Sequence, residues 1–342
     1  MDAAQQLTAD QAKATQQPDL IALCTVMLFL STLALGLRMW YNHIAANHAW
    51  GWDDAFAAIT LPFIIAEMAI ILWWIDLGLG KHAATVPPEN LAKSGKIIFM
   101  ATFFYDCAIS LPKFSALFFY SRIFANTNKW FVAALWAVGA MNAGWLISAL
   151  ITTVFQCDPV YAVWSETPIP DAKCIEQQPW FLGTAIPSMI IDFFILILPL
   201  PMLWGLQATA SRRLMVGFVF LCGYSVIVVS IGRLVTLAQA GDSLLSDITW
   251  TTVTYIKWVQ LEGPISLISV CLPNVFGLLR RLHQKGIQGF LPETRLQSKM
   301  VSTMATSHSR HTKGQFVRME TYPSRQFADG SSDDYSTRGV AV

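Results

Sequence analysis

Seven long, mostly apolar stretches alternate with short polar connections along the chain. A helix needs ~20 predominantly apolar residues to cross the hydrocarbon core of a bilayer. The stretches run from Leu20 to Trp40, Asp54 to Ile75, Ile97 to Tyr120, Trp130 to Phe155, Trp180 to Leu203, Leu214 to Gln239 and Trp250 to Leu279. Several begin or end on Trp or Tyr, as an interfacial aromatic belt requires. The pattern predicts an all-α fold, a seven-transmembrane helix bundle over residues 20–283. Residues 1–19 form a short polar tail. This tail lacks a basic segment followed by a cleavage site, so the first span is expected to act as an uncleaved signal anchor. From residue 284 to 342 the chain is rich in Ser, Thr, Arg, Gly and Gln and reads as disordered.

Composition agrees. Hydrophobic residues make up 54% of the 342 and charged residues 13%, against roughly 25% charged in soluble domains. The net charge of +1 gives no reason to expect a nucleic-acid partner, and no basic patch with interleaved aromatics occurs. Lys and Arg near span ends set the orientation. Arg38, Arg122, Lys129, Arg212, Arg213, Arg280, Arg281, Lys285 and Arg295 fall on one side. Lys13, Lys81, Lys93, Lys96 and Lys173 fall on the other, with most of the loop acids. The imbalance predicts an extracytosolic N-terminus and a cytosolic tail. Cys157 and Cys174 then share one extracytosolic loop, where an oxidising compartment permits a disulfide. The six cysteines show neither CxxC spacing nor a Cys/His framework, so no metal site is expected.

Polar residues inside the spans are costly, and an ionisable one is a candidate functional residue by default. Glu67, Asp106, Asp192 and Glu262 each lie roughly 14–20 Å from the start of their span at ~1.5 Å per residue, near mid-depth. The third span carries a stripe of Thr102, Asp106, Ser110, Lys113 and Tyr120, and the seventh one of Tyr255, Trp258, Glu262, Ser266 and Ser269. Two such stripes fit either an internal cavity or interhelical hydrogen bonding, where polar contacts average roughly 0.6 kcal/mol. Lys113 and Arg233 are placed to contact acids on neighbouring helices or headgroups. Lys257 lies about 140° around the helix from Glu262 and is expected to snorkel outward.

Other polar features admit plainer readings. Asp53 and Asp54 in "WGWDDAF" would meet the helix dipole and cap free N–H groups. A Mg²⁺-diphosphate site would want further aspartates one turn on. "DLGLGKH", Asp76 to His82, is a glycine-rich exit from a helix without a Walker pattern. "LPLP" at Leu198 to Pro201 should break the fifth helix.

Taken in order, these pieces form a set. They are Arg38, the Asp53–Asp54 pair, "GLGKH" with His82, "LPKFSALFFYSRIF" with Lys113 and Arg122, and "FQCDPVYAVW" with the later Cys174. There follow "IDFFILILPLP" with Asp192, "LCGYSVIVVSIGRL" with Arg233, Asp247, "WVQLE" and "CLPNV". The chain resembles the fungal rhodopsin-like integral membrane family, which takes in plant-infection receptor-like proteins and the satratoxin-cluster type. The resemblance covers roughly residues 20–280. It implies a seven-helix fold, a fungal source, and a place in receptor-like or secondary-metabolite contexts. It does not imply retinal: a retinal pump wants an aspartate one turn before the seventh-helix lysine, and Val253 stands there. No cofactor is expected.

Two functions fit. A receptor-like or accessory protein would bind a small hydrophobic ligand or pathway intermediate around Asp106, Ser110, Lys113, Asp192, Trp258 and Glu262. Arg122, Arg212, Arg213 and the tail would meet a cytosolic signalling partner. A membrane-embedded cyclase or isomerase would instead use Glu67, Asp106, Asp192 or Glu262, kept protonated by burial, to protonate an epoxide or olefin of a lipophilic polyketide or isoprenoid. Aromatic faces such as Trp258 would steady a developing carbocation.

Overall fold

The computed structural model describes residues 14–44, 50–124, 129–165, 169–201, 210–240 and 247–286. Seven long helices dominate: α1 (Gln17–Ile44), α2 (Trp52–Leu77), α3 (Ser94–Phe124), α4 (Lys129–Val154), α5 (Gln177–Ile197), α6 (Ala210–Ala240) and α7 (Ile248–Lys285). Among the described residues, six of them are long and apolar enough to cross a membrane; in α6 the apolar stretch Gly223–Gln239 is shorter. The side chains of Arg212, Arg213 and Cys222 lie outside the described residues, as does nearly all of the tail expected from residue 284. Helix α5 ends at Ile197, just before the Leu198–Pro201 run, because proline supplies no N–H and clashes with the preceding turn. That end comes before the Leu203 expected from hydropathy alone.

Each helix packs against its neighbours in sequence, and α7 closes the ring on α1. Helices α3 and α7 also touch each other across the bundle. One apolar cluster joins α1, α2 and α7 around Ile64, Met68, Leu267 and Cys271. A second joins α3, α4 and α5 around Ile109, Leu135 and Ile191. Small residues permit the closest crossings. A Cβ on Gly232 would stand 2.8 Å from the Trp258 ring, so α6 and α7 need glycine there.

Burial is distributed as a bilayer demands. Large apolar side chains face outward, with Phe29 66%, Trp136 71% and Phe193 51% exposed. Charged side chains face inward: Arg38, Asp54, Glu67, Arg233 and Glu262 are all 3% exposed or less. An apolar surface this extensive is not that of a soluble monomer. The chain is an integral, multi-pass membrane protein, and a lipid bilayer is its surroundings.

The starts of α1, α3, α5 and α7 share one end of the bundle with the ends of α2, α4 and α6. The α4–α5 connection there carries a two-residue antiparallel ladder, β1 (Cys157–Asp158) with β2 (Lys173–Cys174). The predicted Cys157–Cys174 disulfide is present across it. At the same end, the Gly78–His82 turn ties three helices. Gly78 and Gly80 have φ of 123° and 88°, a region L side chains avoid. Gln16 N donates to Gly80 O, and Gly80 N donates to Thr249 O, both at 2.9 Å. Thr249 Oγ1 donates to Lys81 O at 2.8 Å. His82 Nδ1 lies 2.6 Å from Asp247 Oδ2, and its ring stacks on Trp250 at 4.1 Å. The glycine run is therefore a docking turn for the starts of α1 and α7.

The disulfide closes a 17-residue separation, and loops of that size gain about 3 kcal/mol from a cross-link. Replacing Cys157 and Cys174 together by Ser should lower the thermal midpoint of the purified protein by several degrees. Wild type held under reductant should fall to the same value; coincident midpoints with and without the bridge would show that the ladder alone holds the loop.

Candidate functional site

At the end of the bundle opposite the disulfide, Arg38 of α1 is fully buried. Its Nε donates to Asp54 Oδ1 at 2.9 Å and its Nη2 to Asp53 Oδ2 at 2.8 Å. Its Nη1 donates to Val270 O of α7 at 2.6 Å. Asn42 Nδ2 adds a bond to Asp54 Oδ1 at 2.7 Å, and Arg122 Nη1 of α3 reaches Asp53 Oδ1 at 3.3 Å. Ser115 Oγ donates to the Asp53 carbonyl at 2.7 Å. The expected capping role of the aspartates is present but minor, a 3.3 Å bond from Gly51 N to Asp54 Oδ2. Their main work is to hold Arg38, which joins α1, α2 and α7, while Ser115 and Arg122 bring α3 to Asp53.

Mid-bundle, Glu262 of α7 gathers several partners. Arg233 Nε of α6 lies 2.9 Å from its Oε2, an ion pair whose N–H is not aimed along the contact. Arg233 Nη2 approaches Oε1 at 3.4 Å. Ser230 Oγ donates to Oε1 at 2.8 Å and the Tyr105 hydroxyl to Oε2 at 2.5 Å. The guanidinium also lies over the Tyr105 ring, 5.5 Å from its centroid. A second pair sits between α3 and α5: Lys113 Nζ is 3.1 Å from Asp192 Oδ1 and donates to Ser188 O and Oγ at 3.0 and 2.8 Å.

Glu67 and Asp106 differ from these. Glu67 accepts from Gln260 Nε2 at 3.1 Å, and Asp106 accepts from Thr153 Oγ1 at 3.4 Å. Neither forms an ion pair among the described residues. Both line a cavity of about 510 Å³ that runs from mid-bundle to the disulfide end. Its walls are mostly apolar and aromatic, including Trp74, Tyr105, Phe181 and Tyr255; Thr102 and Arg233 add polar wall, and Glu176 stands at the rim. A volume of roughly 300–1,000 Å³ with few polar groups suits a drug-sized molecule.

The bundle thus divides the residues that hydropathy singled out. Glu67, Asp106 and Arg233 line the large cavity. Lys113 and Asp192 line a separate space of about 80 Å³ with Tyr120 and Ser266. Ser110 lines neither; it accepts from Asn142 Nδ2 at 3.0 Å. Trp258 packs on Gly232 and is absent from the cavity wall. Lys257 reaches Asp19 at 3.4 Å with its side chain 32% exposed, the outward course predicted for it. Hydropathy missed Tyr105, Ser230 and Gln260, and the amides Asn42 and Asn142. A search for amides within spans finds two of these, Asn142 and Gln260, because an unpaired amide in hydrocarbon is costly too. Among the described residues, no group of three His, Cys, Asp or Glu is placed to hold a metal.

Comparison with known proteins bears on these motifs directly. The fungal rhodopsin domain matches residues 37–281, from just before Arg38 through Arg281. The chain belongs to the fungal rhodopsin domain family. Curated relatives of this fungal rhodopsin domain include polyenoic acids biosynthesis gene cluster protein Ba17b of Metarhizium anisopliae, 27% identical over 266 residues, 74% of this chain and 71% of that one. Satratoxin biosynthesis SC1 cluster protein 4 of Stachybotrys chartarum is 25% identical over 232 residues, 67% of this chain and 81% of its own. Receptor GIN3 of Arthrobotrys oligospora is 23% identical over 265 residues, 76% of this chain and 62% of its own. No solved structure gives a significant match.

The Arg38 clamp of this fungal rhodopsin domain should be the most sensitive stabilising contact. Arg38→Ala leaves two buried carboxylates facing Arg122, which is 34% exposed, and breaking such a pair costs about 3–5 kcal/mol. Arg38→Lys cannot reproduce three directed N–H contacts and should also lower the unfolding midpoint in detergent. A lysine variant as stable as wild type would show that charge alone suffices.

Proposed function

We propose that the protein is a receptor-like or accessory membrane protein of a secondary-metabolite pathway, and that a small, largely hydrophobic ligand occupies the bundle cavity. The observation that carries this reading is the 510 Å³ cavity itself, apolar-walled, polar at its floor and reaching the disulfide end. The names of two relatives, a satratoxin-cluster protein and a receptor, support the two contexts. The ligand-facing residues would be Asp106, Glu67, Tyr105 and Tyr255. Arg233, held by Glu262, would border the same cavity, and the Lys113–Asp192 pair would brace α3 against α5, with Ser110 and Trp258 as packing residues. Arg122 and the positively charged opposite end would face a cytosolic partner.

An enzyme reading has one observation in its favour. Glu67 and Asp106 present carboxyl groups to the cavity without a paired cation among the described residues. A cyclase or isomerase would draw its acid from these two, since Asp192 and Glu262 are engaged by Lys113 and Arg233.

The test is complementation of a deletion strain with metabolite profiling. Wild-type protein should restore the profile, and Ala101→Trp, which fills the cavity, should not restore it at equal membrane abundance. Equal restoration by both would remove the cavity from the function. Microsomes then separate the readings: conversion of an accumulated intermediate that Asp106→Asn abolishes identifies an enzyme, and binding without conversion a receptor.

We further propose seven crossings with the disulfide end extracytosolic, as the loop charges and the Cys157–Cys174 bridge support. Cys24, Cys107 and Cys271 are buried. In intact cells a membrane-impermeant maleimide should therefore label the protein strongly after treatment with a membrane-impermeant reductant. Labelling that requires permeabilised cells would reverse the orientation.

A further inference from the structure

We propose that the ligand of the large cavity carries a protonated amine on an apolar body and seats that amine against Glu67 and Asp106. This rests on the reading of the cavity as a ligand site. Three observations select a cation. The first is the charge balance at the floor. Glu67, Asp106 and Arg233 border the same cavity, and the guanidinium of Arg233 is held by Glu262. Buried charges are normally paired, and here two carboxyls, 1% and 3% exposed, have one hydrogen-bond donor each and no ion pair among the described residues. The second is the rim. Glu176 is exposed at the start of α5, so acids stand at both the mouth and the floor, against Arg233, the single cation in the wall among the described residues, and an excess of one sign draws in the opposite sign. The third is the wall between them. Trp74, Tyr105, Phe181 and Tyr255 offer aromatic surface, which attracts a desolvated ammonium through the ring quadrupole.

The alternatives fit less well. A carboxylate or phosphate would meet acids at both ends of its path. A neutral alcohol would donate one hydrogen bond and so reach only one of the two carboxyl groups. An ammonium supplies up to three N–H donors, enough to reach both carboxyl groups at once.

Tryptamine, tryptophol and indole-3-acetate share one indole body and differ in the terminal amine, hydroxyl or carboxylate. Titration of each into the full-length protein in nanodiscs, with empty nanodiscs as the blank, reads the preference directly. Tryptamine should bind at least tenfold tighter than tryptophol, and indole-3-acetate weakest. The Glu67→Gln/Asp106→Asn double variant should lose the amine preference and bind tryptamine no more tightly than tryptophol, and an unfolding midpoint near that of wild type shows that it is folded. Tryptophol binding as tightly as tryptamine, or an amine preference surviving in the double variant, overturns the proposal and leaves the cavity a ligand site. Failure of all three to bind overturns the amine and the cavity reading together.

Discussion

A charge withdrawn from water into a lipid-facing bundle has to be met by an opposite charge and by hydrogen-bond donors, and this requirement organises the interior. An isolated buried ion costs several kcal/mol even after the protein relaxes around it. Arg38 shows the full solution: two carboxylates and one backbone carbonyl take up its Nε, Nη1 and Nη2. Because those acceptors come from α2 and α7, satisfying one guanidinium fixes three helices at once. Arg233 and Lys113 repeat the device at other places, linking α6 to α7 and α3 to α5. Helix packing in lipid lacks the hydrophobic drive it has in water, so these pairs supply register that apolar surface alone would leave loose.

The two central helices follow from the same need. Helices α3 and α7 carry Asp106 and Lys113, and Gln260 and Glu262, each within two turns. A helix bearing that much polarity has to be surrounded by protein, and both touch more neighbours than their sequence order requires. Even a Cβ on Gly263 would meet Ala108 and Ile64 at ordinary contact distance, and α7 lies against α2 and α3 there. Outward positions on the peripheral helices are free to be apolar, hence the exposed Phe29 and Trp136.

Much of this was legible in the sequence, for definite reasons. Length and hydropathy mark the helices, because a span has to be about 20 apolar residues whatever it packs against. The proline run at Leu198 marked the end of α5, and the loop cysteines marked the disulfide, since both depend on local chemistry. Pairings across helices were not legible. Asp53 and Asp54 read locally as helix caps, and nothing within the stretch "WGWDDAF" points to an arginine 15 residues earlier. Periodicity placed Trp258 with Glu262 on one stripe, yet a stripe spans more than 100° of helix surface. Its two edges face different neighbours, so Trp258 packs on α6 while Tyr255 lines the cavity. Tyr105, next to Asp106, sits 100° off the α3 stripe and was passed over for that reason, though it bonds Glu262.

The contrast among the four mid-depth acids carries the functional argument furthest. Hydropathy treats Glu67, Asp106, Asp192 and Glu262 alike, as rare carboxyls at similar depth. In the folded bundle two of them have cations and serve as struts. The other two border empty volume on the side where the connections carry the disulfide and the His82–Asp247 contact. A protein selected for stability alone would gain by replacing such acids with apolar residues of similar size. Their place beside the cavity, without an ion pair among the described residues where Asp192 and Glu262 are paired with Lys113 and Arg233, is what the proposed ligand site rests on.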